Sequence, residues 1–270
     1  MITSVNNPKI KHVAALISSK KERMSVSSFV AEGTKMFLEA DPSKITEVYI
    51  SESFYERLFN VDKSKHIGAM LDVYNKLDKM QYEVVSDSVF KKMSDTVTPQ
   101  GILIVVKVNV RILDDILAEY EGRPLKIIAL EGLQDPGNMG TIVRTSEAAG
   151  FDFILAGLNT VDIYSAKVVR STMGSVFRIP VVFTDDLYDA IDTIKSHGVK
   201  VYAAHLKGEC SYRDVDYNDR LMILIGNEGR GLTDEASDKA DTLVKIPMKG
   251  KVESLNASVA AAILMYETLR

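Results

Sequence analysis

Asn138 and Arg144 stand six residues apart in LEGLQDPGNMGTIVRTSEAAG (130–150), where an apolar strand passes into an amphipathic helix closed by Gly150. Asp135, Pro136 and Gly137 make the turn ahead of them. An amide at a helix entrance and a guanidinium further inside it can position and neutralise oxygen anions, whereas a nucleotide-phosphate loop would carry glycines and a lysine. With Met139, Ile142 and Val143 turned inward, Arg144 falls on the rim of the helix. There an arginine serves either as a surface ion-pair residue or as a ligand for an anionic substrate.

Two further turns share this chemistry. GNEGRG (226–231) follows the strand LMILI, with glycines at relative positions one, four and six. It is either a tight left-handed turn or a ligand loop. The strand TLVKIP runs into MKGKVESLNASVAAAILMYE, where Ser254 and Asn256 can cap the last helix or leave its N–H groups to a carboxylate or oxyanion. The small residues of VAAAI let another backbone approach closely, within the fold or at a subunit interface. Each turn combines glycine with Asn, Glu or Ser. Neither G-x-G-x-x-G after a strand nor G-x-x-x-x-G-K-[ST] occurs, which argues against a dinucleotide or NTP held in the usual way.

The elements that must position these turns are legible from periodicity. Strands are expected at 125–131, 152–157, 178–183, 200–205, 221–226 and 242–247, with helices near 139–149, 165–176, 186–196, 233–240 and 256–269. Such alternation implies an α/β unit with an open, mainly parallel sheet covered on both faces. Ligands of such sheets sit beyond the carboxyl ends of the strands, where all three turns lie. Ahead of it, FVAEG, ITEVYIS, YEVVS and GILIVVKV alternate with short helical patterns and predict a smaller α/β unit over 1–107. The charged stretch NVRILDDILAEYEGRP suits a linker helix over 108–123, leaving 124–270 as the second domain.

The 270 residues are 46% hydrophobic, enough for a sizeable core. A single cysteine and four scattered histidines exclude an internal disulfide framework and offer no metal spacing. No secretory leader or spanning segment is evident, so a cytoplasmic protein without a membrane partner is expected. The formal net charge of −4 hides an asymmetry: residues 1–107 carry 15 Lys/Arg against 13 Asp/Glu, and 108–270 carry 18 against 24. The basic excess concentrates at Lys9, Lys11, Lys20, Lys21, Arg23 and Lys35. It is either a solvated helix face or a footprint for phosphates.

Taken together, DPGNMGTIVRTSEAAG, LIGNEGRGL (224–232) and IPMKGKVESLNASVAAAI (246–263) resemble the three ordered motifs of the SpoU/TrmH class of SPOUT RNA 2′-O-ribose methyltransferases. RSTMGSVFRIP (170–180) is similar to the stretch that connects the first two motifs, and Ala257 stands where valine is commoner. Residues 1–107 resemble, more loosely, the ribosomal-protein-like substrate-binding domain often fused ahead of the catalytic one.

The resemblance implies a C-terminal trefoil knot, an exception to the rule that chains do not knot. It would be built from the 226–231 loop, the 246–256 loop and the last helix, and would hold S-adenosylmethionine in a bent shape. Backbone near Gly226, Ile246 and Leu255 would contact the cofactor, with Ala204 and His205 lining the pocket and Leu224 beside the adenine. Asn227, Gly231, Pro247, Met248 and Ala257 belong to the same implied set. Arg144 would serve the ribose hydroxyl as base, phosphate ligand or charge stabiliser. Asn138 would position it or the ribose, Glu228 would orient the first turn, and Ser254 and Asn256 would fix substrate and cofactor. A homodimer is implied, with Arg144 reaching the partner's cofactor. The substrate implied is 23S ribosomal RNA, gripped by Lys9, Lys11, Lys20, Lys21, Arg23 and Arg144, with salt-dependent binding. Transfer RNA, or a non-catalytic knotted RNA-binding protein, are the alternatives.

Overall fold

The computed structural model describes residues 1–108 and 111–270 and divides into two compact units, Met1–Asn109 with Asp162–Phe177, and Val110–Val161 with Arg178–Arg270. In the first, β1 (Ser28–Glu32), β2 (Ile45–Ser51), β3 (Glu83–Val85) and β4 (Ile102–Lys107) form a sheet of order β1-β4-β2-β3. β4 is buried along most of its length and pairs antiparallel with β1 and β2, while β3 adds parallel to β2. A continuous apolar run such as ILIVVK suits this interior position, where both faces of the strand are covered.

Pro8–Ser18 is helical because Asn7 accepts from the Lys9 backbone N–H and Pro8 starts the first turn. It buries Ile10, Val13 and Leu16 and leaves Lys9 and Lys11 on the outer face. Ser19 caps the following helix, Lys20–Ser25, which exposes Lys20 and Lys21. Arg23 is different. It is 6% exposed, and its guanidinium donates from Nε and Nη2 to Asp162 Oδ2 at 2.9 and 2.6 Å and from Nη1 to the carbonyls of Leu16 and Ile17. Its place among the RNA-binding cations is therefore corrected: its donors are spent inside the protein. Arg23→Ala should destabilise the chain by about 3–5 kcal/mol in urea unfolding, because it strands the Asp162 carboxylate in a buried position.

The second unit carries β5 (Leu125–Leu130), β6 (Phe153–Gly157), β7 (Val181–Thr184), β8 (Lys200–Ala204), β9 (Cys210–Ser211), β10 (Arg220–Ile225) and β11 (Thr242–Lys245), all in parallel pairs, in the order β7-β6-β5-β10-β8-β11-β9. The late strands enter between earlier ones: β10 separates β5 from β8, and β11 separates β8 from β9. Ile127, Ala129, Phe153, Leu155, Val201, Met222 and Leu224 build the core beneath one face. The helices Pro136–Ala148 and Ala257–Glu267 pack against one another.

Several elements differ from expectation. β7 starts after Pro180, whose missing N–H keeps it out of the ladder although its carbonyl accepts from Ile154 N at 3.0 Å. The helix expected over 165–176 is Ala166–Ser171 only, because Met173 (φ 55°) and Gly174 (φ 105°) turn left-handed before a single 3-10 turn at Ser175–Phe177. β9, two residues long, is too short to show a period. Of the expected linker over 108–123, Leu113–Glu119 is helical, and residues 109 and 110 lie outside the described residues. Among the described residues no helix is long and apolar enough to cross a membrane, and no group of acidic, His or Cys side chains is arranged to hold a metal ion.

Candidate functional site

The parallel pairing of β5 with β10 sets Leu130 beside Ile225 and so delivers the first two turns side by side. Asp135 caps the helix that follows: its Oδ1 accepts from Asn138 N at 2.8 Å, with Pro136 in the first helical position. The cap starts the helix at Pro136, so Asn138 lies in its first turn with its side chain inward, 7% exposed. Its Nδ2 donates to Glu228 Oε1 at 3.0 Å, and its Oδ1 lies 3.2 Å from Ser258 Oγ.

Glu228 receives two more donors, Asp135 N at 2.8 Å and Gln134 N at 3.1 Å. Desolvation pushes its carboxyl up, but the hydrogen bonds from Asn138, Asp135 and Gln134 outweigh that and hold it below its ordinary value. One carboxylate thus pins three donors of the first turn to the second. Asn227 adds a fourth tie, donating from Nδ2 to Gly132 O at 2.8 Å, while its Oδ1 accepts from the N–H groups of Gly229 and Arg230. Asn227 and Gly231 exchange backbone hydrogen bonds at 3.0 and 2.9 Å. That closure brings Gly231 so near Gly226 that a Cβ on Gly226 would lie 2.3 Å from the Gly231 carbonyl carbon.

A folded carboxyl with a depressed pKa gives stability that is fully present above the unfolded value, about 4.3 for Glu, and is lost as pH falls through the lower folded value. Wild-type protein should therefore lose urea stability between pH 5 and 3 more steeply than Glu228→Gln. That variant offers one acceptor oxygen to three donors and should already be less stable at pH 7.

Beyond the carboxyl ends of β10, β8 and β11 lies a cavity of about 220 Å³. Of the residues expected at a cofactor, Ala204, His205, Gly226, Asn227, Gly231, Ile246, Met248, Ser254, Leu255 and Ala257 line it. Leu206, Ile225, Gly229, Arg230, Val244 and Ala260, not singled out from the sequence, line it too. Leu224 does not: it is fully buried in the core, because strand alternation turns it to the sheet face opposite its neighbour Ile225. Pro247 is also not on the wall. Asn256 is the N-cap of the last helix, its Oδ1 accepting from Ser258 N at 2.9 Å and Val259 N at 3.4 Å, so helix capping uses those two N–H groups.

The cavity suits a sulfonium nucleoside. Ile225, Val244, Ile246 and Leu255 give it an apolar side, Ala257 and Ala260 leave room at the helix start, and Glu228 is the one carboxylate on its wall, opposite in charge to a sulfonium. Arg230 supplies the one guanidinium on that wall.

Ser258 joins the third turn to the first. Its hydroxyl, on a residue 6% exposed, lies 2.7 Å from Asn256 Oδ1 and 3.2 Å from Asn138 Oδ1. The signal that could have found it is a hydroxyl in the first turn of an otherwise apolar, small-residue helix. Arg144 is exposed, and among the described residues its side chain has no hydrogen-bond or ion-pair partner. Six residues of helix carry it about 9 Å along the axis and about 240° round from Asn138, and it does not line the cavity.

Two family models match the chain: the SpoU rRNA Methylase family over residues 126–266 and the MRM3-like substrate binding domain over residues 7–104. The 23S rRNA (guanosine(2553)-2′-O)-methyltransferase RlmP of Bacillus subtilis (strain 168) is 32% identical over 267 residues, 98% of this chain and 97% of that relative. Among solved structures, an rRNA methyltransferase from Sinorhizobium meliloti aligns at 32% identity and TM-score 0.79, covering 99% of this chain and 96% of that one. Its AdoMet-bound form aligns at 31% identity with the same TM-score and coverage. Three interlocked turns beyond a parallel sheet, a family model that spans them and a relative matching end to end identify the chain as belonging to the SpoU rRNA methylase family.

Proposed function

We propose that this chain transfers the methyl group of S-adenosylmethionine to a ribose 2′-hydroxyl of 23S ribosomal RNA. The observation that carries the reading is the tie of Asn138 to Glu228 at the edge of the cavity, which locks the first turn to the loop on its wall. The near full-length relative named as a 23S rRNA 2′-O-methyltransferase supports the substrate class over transfer RNA.

S-adenosylmethionine supplies an activated methyl carbon. Transfer would form a ribose O–CH3 bond as the sulfonium S–CH3 bond breaks, leaving the neutral thioether S-adenosylhomocysteine, with the hydroxyl proton passing to the adjacent phosphate or to water. The chain's own part is to align the hydroxyl and manage charge, and positioning of this kind supplies a large share of the rate. Arg144 binds the adjacent phosphate with its guanidinium fork and stabilises developing negative charge on the ribose oxygen. Asn138, held by Glu228 and Ser258, orients the substrate end of the cleft; Ser254, exposed on the wall, is placed to bond the ligand.

Residues 124–270 act as the catalytic domain, 1–107 as the RNA-gripping domain and 108–123 as the linker. The entry of β10 and β11 between earlier strands supports reading the 226–231 and 246–256 loops with the last helix as a trefoil knot. Arg144, exposed and without a side-chain partner among the described residues, supports a homodimer in which it reaches toward the partner's cofactor to act on the ribose. Lys11 and Lys21 are exposed and suit phosphates; Lys20, exposed as well, and Lys9, which pairs with Glu83, must exchange existing partners for RNA. The setting is cytoplasmic, where ribosomal RNA is modified.

The test incubates the protein with methyl-labelled S-adenosylmethionine and unmodified 23S ribosomal RNA, followed by alkaline digestion. Label in an alkali-resistant dinucleotide is expected. Label in mononucleotides would mean base methylation, and label only with transfer RNA would move the substrate.

A further inference from the structure

A second, larger cleft of about 930 Å³ lies beyond the carboxyl ends of β5, β6 and β7, on the other side of the 226–231 loop from the cofactor cavity. The two share Asn227, Arg230 and Gly231 as a common wall. Neither the motifs nor the family resemblance assigns the second cleft a ligand.

Its polar groups sort into committed and uncommitted ones. Glu131 is committed: it accepts from Tyr188 Oη at 2.7 Å, Thr233 Oγ1 at 2.7 Å and Thr233 N at 2.9 Å. Asp186 is half committed as a helix cap, its Oδ1 accepting from Tyr188 N and Asp189 N. Gln134 spends its amide nitrogen on the carbonyls of Gly132 and Asn159, which leaves its Oε1 as an acceptor. Asp185 and the Asn159 side chain are exposed and, among the described residues, have no partner. Leu158, 56% exposed, gives the rim an apolar surface.

What remains on offer is a carboxylate, an amide oxygen, a complete amide and an apolar rim, with one guanidinium at the wall next to the cofactor cavity. Three carboxylates exclude a phosphate from the interior. A planar base with an edge rich in N–H donors fits: guanine alone among the standard bases places two adjacent donors, N1–H and N2–H, where the two oxygens of one carboxylate can accept both. Its O6 can then accept from the Asn159 amide.

We propose that this cleft holds the base of the target nucleotide, that Asp185 reads the N1–H and N2–H edge of guanine, and that Arg230 holds the nucleotide's phosphate at the shared wall. The inference rests on the RNA methyltransferase reading above. The relative named as a guanosine 2′-O-methyltransferase already points to that base; what the cleft adds is where the base sits and Asp185 as a specificity-determining residue. The base enters from the β5–β7 side and the cofactor from the β8–β11 side, so the ribose between them faces the 226–231 loop.

The experiment compares wild type with Asp185→Asn, which preserves size and leaves the Asp186 cap intact. Each is assayed on an unmodified 23S ribosomal RNA transcript and on one with inosine, which lacks the N2 amino group, at the mapped methylation position. Wild type should lose about tenfold or more in kcat/KM on inosine, the scale of one base-edge contact. Asp185→Asn should be slowed on guanosine, should no longer separate guanosine from inosine, and should keep the wild-type affinity for S-adenosylmethionine by calorimetry. Wild-type rates for Asp185→Asn, or a methylated nucleotide other than guanosine, would overturn the base pocket while leaving the methyltransferase reading intact. Absence of ribose methylation by the wild type on any RNA would remove that reading and the pocket with it.

Discussion

Arg144→Ala should lower the rate of ribose methylation by about 10²–10³-fold while leaving S-adenosylmethionine affinity unchanged, the scale of removing one donor aimed at a developing oxyanion. The split follows from placement. Arg144 lies outside the cavity wall, so its loss removes none of the residues that line the cofactor cavity. Its guanidinium is exposed and partnerless among the described residues, so the fold loses little either, and thermal unfolding should move by less than about 0.5 kcal/mol. Arg144→Lys should rescue poorly, because an ammonium cannot reproduce the bidentate fork a phosphate accepts. The homodimer reading adds a sharper consequence. Arg144→Ala mixed with a variant that cannot bind cofactor should recover up to about a quarter of wild-type activity per protomer, since mixed dimers then contain one complete site. If no activity returns on mixing, although subunit exchange is shown by native mass spectrometry, Arg144 acts within its own chain.

How much of this site was legible beforehand depends on the kind of information each part needs. The three turns carry their chemistry in residue type and order, so their location beyond strand ends followed from the alternation of apolar runs with helical patterns. What joins them did not. Ser258 meets Asn138 only because one helix start is folded against another 120 residues away, and no local pattern encodes that. Leu224 and Ile225 are neighbours of the same type in the same strand, and only the register of β10 with β5 and β8 sends one to the core and the other to the cavity. Arg23 looked like one cation in a basic run. Its removal from the surface depends on Asp162, 139 positions away, which folds with the first unit although it follows β5 and β6 in sequence. Charge runs report composition, whereas burial is decided by partners distant in the chain.

Gly226→Ala should cost at least about 100-fold in S-adenosylmethionine affinity, roughly 2.7 kcal/mol, and a further destabilisation of about 1–3 kcal/mol in urea. The added methyl would meet the Gly231 carbonyl carbon at 2.3 Å, Leu232 N at 2.4 Å and the Gly231 oxygen at 2.5 Å. All three are backbone atoms, so no rotamer relieves the clash and the loop itself must move. Movement breaks the exchange between Asn227 and Gly231 first, and with it the seat of Glu228, whose carboxylate ties Gln134, Asp135 and Asn138 to the cavity edge. Cofactor affinity and alignment of the first turn should therefore fall together. Gly229→Ala, three residues on in the same loop, is the control. Its methyl would lie 3.7 Å from Asn227 Oδ1, an ordinary contact, and should leave affinity within about twofold. Equal losses in the two variants would mean that the loop needs general flexibility; a loss at Gly226 alone would mean that the cofactor site depends on the close approach of residue 226 to residue 231. The glycine spacing of GNEGRG then has a physical reason unrelated to phosphate binding: one glycine admits a neighbouring backbone, and another, Gly231 at φ 71°, turns the chain back to meet it.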